Sequence, residues 1–172
     1  MILSAADASA GVAPPVQTGD PITAFEDRPY VQELTGSISP DTPTVWFDIF
    51  DIPAGTTLYL YVESSEFDTV LGVCDILCEE TYASNDDIDF GAGNVNSAVE
   101  YTIPADGDYS IFVSDCCDTE ASGSFRLLIG VNAPEVLNGT AQPTGDQIAI
   151  LYDPARPPVP EAERIEATDC SE

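Results

Sequence analysis

Residues 56 to 63 read TTLYLYVE, with Leu58, Leu60 and Val62 on one parity and Thr57, Tyr59, Tyr61 and Glu63 on the other. A period of two marks a β-strand with one face in a core, because successive side chains point to opposite sides of the pleat. The pattern recurs around it. SAVEYTI (97–103) aligns Val99, Tyr101 and Ile103, DYSIFVS (108–114) aligns Tyr109, Ile111 and Val113, and SFRLLIG (124–130) aligns Phe125, Leu127 and Ile129. VWFDIFDI (45–52) is apolar at both parities, which suits a strand inside a sheet. DTVLGVC (68–74) is a shorter strand interrupted by Gly72. Turn signals separate these runs: IPAGT (52–56), PADGD (104–108) and EASGS (120–124). Short strands at this spacing predict an all-β, jelly-roll-like antiparallel β-sandwich. PEAERIEA (160–167) would make two turns of helix at most.

Three zones follow. Residues 1–32, rich in Ala, Pro and Thr, are expected to be an extended N-terminal segment. Residues 33–131 form the sandwich. Residues 132–172, Pro-rich and acidic, are a C-terminal extension with a strand-like segment at 146–154. No apolar run approaches the ~18 residues of a membrane span. Ala8-Ser9-Ala10 looks like a signal-cleavage tripeptide, but it lacks a basic n-region and an apolar h-region and is read as part of the chain.

The composition narrows function. Four Arg, no Lys and 31 Asp plus Glu give a net charge of −27. Such a surface repels nucleic acid and anionic lipid and attracts divalent cations. The chain has no His, which removes Ser-His-Asp and Cys-His relays and imidazole-bound zinc. The lack of Lys removes P-loop chemistry and Schiff bases. Carboxylate-pair hydrolysis stays formally open, yet nothing singles out one pair. The expectation is a protein that is not an enzyme.

Five cysteines occur, with neither C-x-x-C nor metal-knuckle spacing. This pattern suggests disulfide-joined loops in an oxidising compartment, extracellular or at a cell surface. A direct Cys116–Cys117 bond would close a strained ring, so pairing across to Cys74 and Cys78 is expected. Cys170 is left for an interchain bond or a free thiol. Asn138-Gly139-Thr140 is a glycosylation sequon and equally an Asn-Gly turn; the turn is preferred.

FDIPAGTTLYLYV (50–62), FDTVLGVCD (67–75), YASNDD (82–87), NSAVEYTIPADGDYSIFVSD (96–115) and SGSFRLLI (122–129) occur in this order. The order resembles the bacterial pre-peptidase C-terminal domain over about residues 33–131. The resemblance implies a jelly-roll β-sandwich, secreted and non-catalytic, in a family where some members bind calcium. The chain departs from the family pattern at PTVWF (43–47) and in the cysteine-bearing loops CDILCEET (74–81) and DCCD (115–118).

SNDDIDFGAGNVNS (84–97) holds six Asp or Asn within positions 85–96. Asn85, Asp87 and Asp89 have the spacing that opens an EF-hand loop, but Phe90 stands where Gly is needed and Asn96 where Glu is needed. Two readings stay open. Asn and Asp favour turns through side-chain to backbone bonds. Alternatively Asp86, Asp87 and Asp89, with Asn85 and Asn94, hold a calcium ion. Asp68 would complete that set, because the family pattern couples it with the NDD turn. Asp115, Asp118 and Glu120 read as a solvated acidic loop.

Open sheet edges carry unpaired N–H and C=O groups that a segment of another copy can complete. The main functional expectation is therefore a secreted structural subunit forming a homopolymeric filament by head-to-tail strand donation, with calcium as a stabilising ion. Ile148, Ile150 and Tyr152, on one face of DQIAILYDP, together with Arg156, Arg164 and Cys170, are the candidate intersubunit residues. The extended N-terminal segment is the other candidate donor. The alternative is a monomeric accessory module that binds polysaccharide or protein, with Tyr59, Tyr61 and Phe112 as an aromatic platform.

Overall fold

The computed structural model describes residues 28–116 and 121–151. They form β1 (Tyr30–Ile38), β2 (Thr44–Ile52), β3 (Thr57–Glu63), β4 (Thr69–Asp75), β5 (Thr81–Asn85), β6 (Ser97–Thr102), β7 (Gly107–Asp115), β8 (Gly123–Val131) and β9 (Ile150–Leu151), with short 3-10 segments at Phe90–Ala92 and Pro134–Asn138. Two sheets pack face to face: a four-stranded sheet ordered β1-β8-β3-β6 and a five-stranded sheet ordered β5-β4-β7-β2-β9. Every pairing is antiparallel. The chain is an all-β antiparallel sandwich whose connections pass from sheet to sheet, except at the β4–β5 hairpin.

The alternating residues build the interior. Leu58, Leu60 and Val62 from one sheet meet Phe47, Ile49, Leu71, Val73, Ile111 and Val113 from the other, all essentially solvent-free. Each such side chain contributes about 1.5–3 kcal/mol on burial. Phe125 stands edge-on to both Phe47 and Phe67, which gives the core a fixed aromatic centre.

The outer faces are not bare, and this corrects the aromatic platform. Tyr61 is buried beneath the 3-10 helix Pro134–Asn138, in a cluster with Val31, Leu128 and Val136, and Tyr59 packs against that cluster. Phe112 is buried on the outer face of the five-stranded sheet beside Trp46 and the Cys74 and Cys78 side chains. Strand parity assigns a side chain to a face; whether that face meets water depends on what the rest of the chain lays over it.

The cysteine pairing is also corrected: Cys74 bonds Cys78. A tight turn brings their Cα atoms to 5.0 Å, held by Cys78 N–H to Asp75 O and by Glu80 N–H to the Asp75 side chain. Cys116 lies far along the sheet. Cys74 faces Ser110 in the β4–β7 register, so Cys116 stands six residues further along β7, about 20 Å at ~3.3 Å per residue. Cys117 and Cys170 lie outside the described residues.

The candidate donor segment folds home. Ile148 and Ala149 are buried in the core, and β9 adds to β2 with Phe47 opposite Leu151 and Asp48 opposite Ile150. Gln32, buried at the start of β1, clamps this turn: its Oε1 accepts from the Ile148 and Ala149 N–H groups and its Nε2 donates to Ala149 O. Thr144 bonds both backbone groups of Val31, so residues 144–149 run along β1 before crossing to β2. Ile148 faces inward while Ile150 is 48% exposed, so the shared face expected for them is not present. The sandwich begins at Tyr30, and residues 132–151 pack on it. Tyr152, Arg156 and Arg164 lie outside the described residues.

Candidate functional site

Five acidic or thiol-bearing residues gather at one end of the five-stranded sheet. Asp68 immediately precedes β4, Asp115 ends β7, Asp86 and Asp87 follow β5, and Cys116 follows β7. Antiparallel pairing makes this inevitable: Thr69 faces Asp115 and Leu71 faces Asn85, so the start of β4 and the ends of β5 and β7 coincide. Cys116 N–H donates to Asp68 O, which ties the two strand ends together.

A buried hydroxyl pair fixes the loop that carries the acids. Thr69 and Ser97 are solvent-free, with their hydroxyls 2.9 Å apart. Ser97 Oγ also lies 2.9 Å from Asp86 O and Thr69 Oγ1 lies 3.1 Å from Val95 O. The start of β6 is thereby stapled to the Asp86 backbone and to the start of β4. Asn85 adds a second staple, accepting from Ala98 N–H and donating to Asp87 O.

The predicted ligand set divides here. Asn85 is engaged with backbone on both sides. Asp89 exchanges backbone bonds with Asn94, and its carboxylate caps the Ala92 N–H in the 3-10 turn. Asn94 accepts from Asn96 N–H. These three residues shape a small hairpin spanning 88–96, the turn reading of the stretch. Asp86, Asp87 and Asp68 stand together, and Asp115, read from sequence as part of a solvated loop, joins them. Asp118 and Glu120 lie outside the described residues.

The electrostatics of the cluster are unfavourable as it stands. Burial, then the charges of Asp87, Asp115 and Asp86, push the Asp68 carboxyl up from 3.8 to about 6. Burial, then Asp86, raises Asp87. Burial, followed by the four carboxylates led by Asp68, pushes the Cys116 thiol up to about 11, leaving almost no thiolate at neutral pH to act as a nucleophile. Asp68 Oδ1 and Asp87 Oδ1 are each enclosed and accept no hydrogen bond. Enclosed carboxylate oxygens without a donor cost free energy unless a cation faces them.

Those oxygens suit a hard divalent cation, which takes carboxylate, carbonyl and water oxygens. Among the described residues no three Asp, Glu or Cys side chains converge as a complete metal centre. An ion here would therefore take Asp68 and Asp87 as its carboxylate ligands and complete its shell with backbone carbonyls and water.

At Asn138 the structure shows the turn. Its Oδ1 accepts from Thr140 N–H, and Gly139 adopts a left-handed φ of 73°. A Cβ on Gly139 would stand 2.7 Å from the Tyr61 ring, so the position requires glycine twice over.

No family model matches the chain, and no curated protein matches it. Among solved structures it is similar to a periplasmic inhibitor of g-type lysozyme from Aeromonas hydrophila, at 19% identity and TM-score 0.47, covering 66% of this chain and 96% of that one. It is similar to the pre-peptidase C-terminal domain of a collagenase from Bacillus anthracis, at 13% identity and TM-score 0.44, over 58% and 89%. It is also similar to the Yersinia pseudotuberculosis-derived mitogen, at 14% identity and TM-score 0.44, over 74% and 99%. The family the sequence resembles is thus among the matched structures.

Proposed function

We propose that the chain is a small non-catalytic binding module for an extracellular or periplasmic setting, whose loops at the Asp68 end are stiffened by calcium. One observation carries the cation: two carboxylate oxygens, on Asp68 and Asp87, are each enclosed without a donor, and the two carboxyls repel one another. A bound divalent ion removes the repulsion and joins the strand end of β4 to the 86–87 loop. The Cys74–Cys78 bond supports an oxidising compartment. No helix among the described residues is long and apolar enough to cross a membrane. The Aeromonas hydrophila protein is described as a periplasmic inhibitor of g-type lysozyme; a protein or polysaccharide partner is the reading adopted for this chain.

The test is a calcium titration followed by calorimetry and melting temperature, against chelator. Calcium should stabilise the protein. Asp68→Asn and Asp87→Asn should abolish the response, and Asp89→Asn should keep it. Equal melting with calcium and with chelator would remove the ion from the proposal.

Homopolymeric strand donation is the second reading. The outer edges of β5 and β6, and of β1 beyond Val31, have no neighbouring strand among the described residues, which supports it. Because 146–151 is committed to its own sandwich, the donor would be the N-terminal segment. Negative-stain microscopy at native salt tests it: fibres that disappear when residues 1–27 are removed are the expected result, and monodisperse single particles at high concentration would end it.

A further inference from the structure

The β4–β5 hairpin presents an aromatic ring outside its own ladder. Val73 pairs with Ala83 and Cys74 with Thr81, so Tyr82 is the extra residue of a β-bulge. A bulge re-aims the side chain it carries. Ala83 packs on the core, whereas the Tyr82 ring reaches the other sheet and stacks on Tyr101 of β6, 5.8 Å between centroids and 4° from parallel. Tyr109 of β7 stands edge-on to Tyr82 at 6.0 Å, buried, with its hydroxyl donating to Ala105 O. β5 and β6 are edge strands of their sheets, so the three rings sit at the open side of the sandwich. Tyr101 covers one face of Tyr82, and the opposite face and rim carry its 36% exposure.

Two carboxylates flank that ring. Asp75 and Glu80 close the neck of the turn: Asp75 N–H donates to Glu80 O, and Glu80 N–H donates to the Asp75 side chain. The Cys74–Cys78 bond spans the same turn. Burial, then the charges of Glu80 and Asp75, push the Tyr82 hydroxyl above its ordinary value, so both acids are within electrostatic reach of the ring. Leu77, at the tip of the turn, is 66% exposed. An aromatic face beside two carboxylates attracts a cation through the ring quadrupole and through charge. Neither described arginine supplies one, since Arg28 pairs with Asp146 and Arg126 with Glu33 and Glu63. The net charge of −27 draws cationic partners from solution. Leu77 calls for an apolar contact beside that cation, which a protein surface offers and a small cation does not. A neutral glycan would stack on Tyr82 but would gain nothing from the surrounding charge.

We propose that this hairpin is a docking surface for a basic protein partner, with an arginine or lysine side chain of the partner seated on Tyr82 beside Asp75 and Glu80, and an apolar residue against Leu77. This rests on the binding-module reading and names the partner's chemistry. The disulfide, the neck bonds and the tyrosine stack hold the surface in shape before the partner arrives, which reduces the ordering cost of association. Asp75 ends β4 whereas Asp68 precedes it, so the surface does not depend on the cation site.

The experiment is an amide-resolved NMR titration of the full chain, near physiological ionic strength, with three probes: a short peptide of alternating arginine and leucine, the same peptide with citrulline for arginine, and a neutral oligosaccharide. The arginine peptide should give saturable shifts at the amides of residues 75–82, and the citrulline peptide should not. Tyr82→Leu should weaken binding about fivefold, the worth of an exposed cation–π contact, while Tyr82→Phe keeps it. Glu80→Gln should weaken it about twofold to threefold. Asp41→Asn removes the same charge at the opposite end of the sandwich and should leave it unchanged. Circular dichroism confirms the fold of each variant. Equal binding of the citrulline peptide overturns the cation seat, and an equal loss in Asp41→Asn and Glu80→Gln reduces the contact to diffuse attraction and overturns the site. Saturable shifts at 75–82 from the oligosaccharide but not the arginine peptide overturn the basic partner and leave the binding module standing. Saturable shifts confined to another face overturn this surface alone, and none from any probe counts against both readings.

Discussion

Replacing Asp68 with asparagine should stabilise the protein in chelator and destabilise it in calcium. The carboxyl titrates near 3.8 when unfolded and near 6 when folded, raised first by burial and then by Asp87, Asp115 and Asp86. A raised carboxyl pKa means that the native state binds the proton more tightly than the unfolded chain. Below about pH 4 both states are protonated and nothing is lost; between 4 and 6 the native state loses stability; above 6 the full penalty stands. Two units correspond to about 3 kcal/mol. Asp68 is only partly buried, and solvent screening reduces this to about 1 kcal/mol. Asparagine has nearly the same shape and no charge, so Asp68→Asn should melt about 4 °C higher than wild type in chelator at pH 7, at the slope for a domain of this size. Its melting temperature should also lose the decline between pH 4 and 6. Calcium at a hundred times its dissociation constant should then stabilise wild type by about 2.7 kcal/mol and leave the variant unmoved, so the order reverses. Differential scanning calorimetry of both proteins, with chelator and with calcium, reads all of this. A variant that is less stable in chelator, or that gains as much from calcium as wild type, would refute the reasoning.

Other parts of the molecule give direct tests. Ser97→Ala removes the buried hydroxyl that joins β6 to Thr69 and Asp86, and should cost about 1–2 kcal/mol in urea denaturation. Gln32→Leu leaves two N–H groups without their acceptor, and should cost about 2–3 kcal/mol and speed hydrogen exchange at Ile148 and Ala149 before the rest of the sheet. Gly72→Ala drives a methyl into the Phe112 ring and should cost about 1–3 kcal/mol by thermal melting, whereas Gly107→Ala, whose methyl would meet only the Tyr109 ring at an ordinary 3.7 Å, should cost far less. Asp146 is held below the ordinary carboxylate range by hydrogen bonds from Arg28 and then Thr144, so its contribution is present above about pH 4 and is lost as pH falls further. Asp146→Asn should therefore lower stability at pH 7 by under about 1 kcal/mol, because Arg28 is half exposed, and the difference should shrink as pH falls below about 4.

Strands with a plain two-residue alternation were legible from sequence, and β3, β6, β7 and β8 fall where TTLYLYVE and its companions place them. β1 was not, because Tyr30, Val31 and Gln32 are buried in succession and break the alternation. The reason is remote: residues 144–149 cover that end of the strand, and no local pattern announces a segment more than a hundred positions away. β5 was missed for the opposite reason, since TYASN is a polar edge with nothing solvent-free in it. The same division runs through the site. The link between Asp68 and the 86–87 loop was available from the family pattern, while Asp115 joins them only through strand register. Asn85, Asp89 and Asn94 show that an Asp- and Asn-rich run mixes backbone-shaping residues with charge-bearing ones, and only the hydrogen bonds separate the two.

The order of the four-stranded sheet has a kinetic consequence. β1 is synthesised before the other described strands, yet its sheet neighbour β8 extends to Val131, and Gln32 must wait for Ile148 and Ala149. Pairing of this kind is slow, because distant ends must meet before any contact rewards them. The sandwich therefore cannot close until residues 123–149 have been synthesised, and the chain stays threadable for that interval. A polypeptide that must travel through a narrow export channel before it folds benefits from this delay.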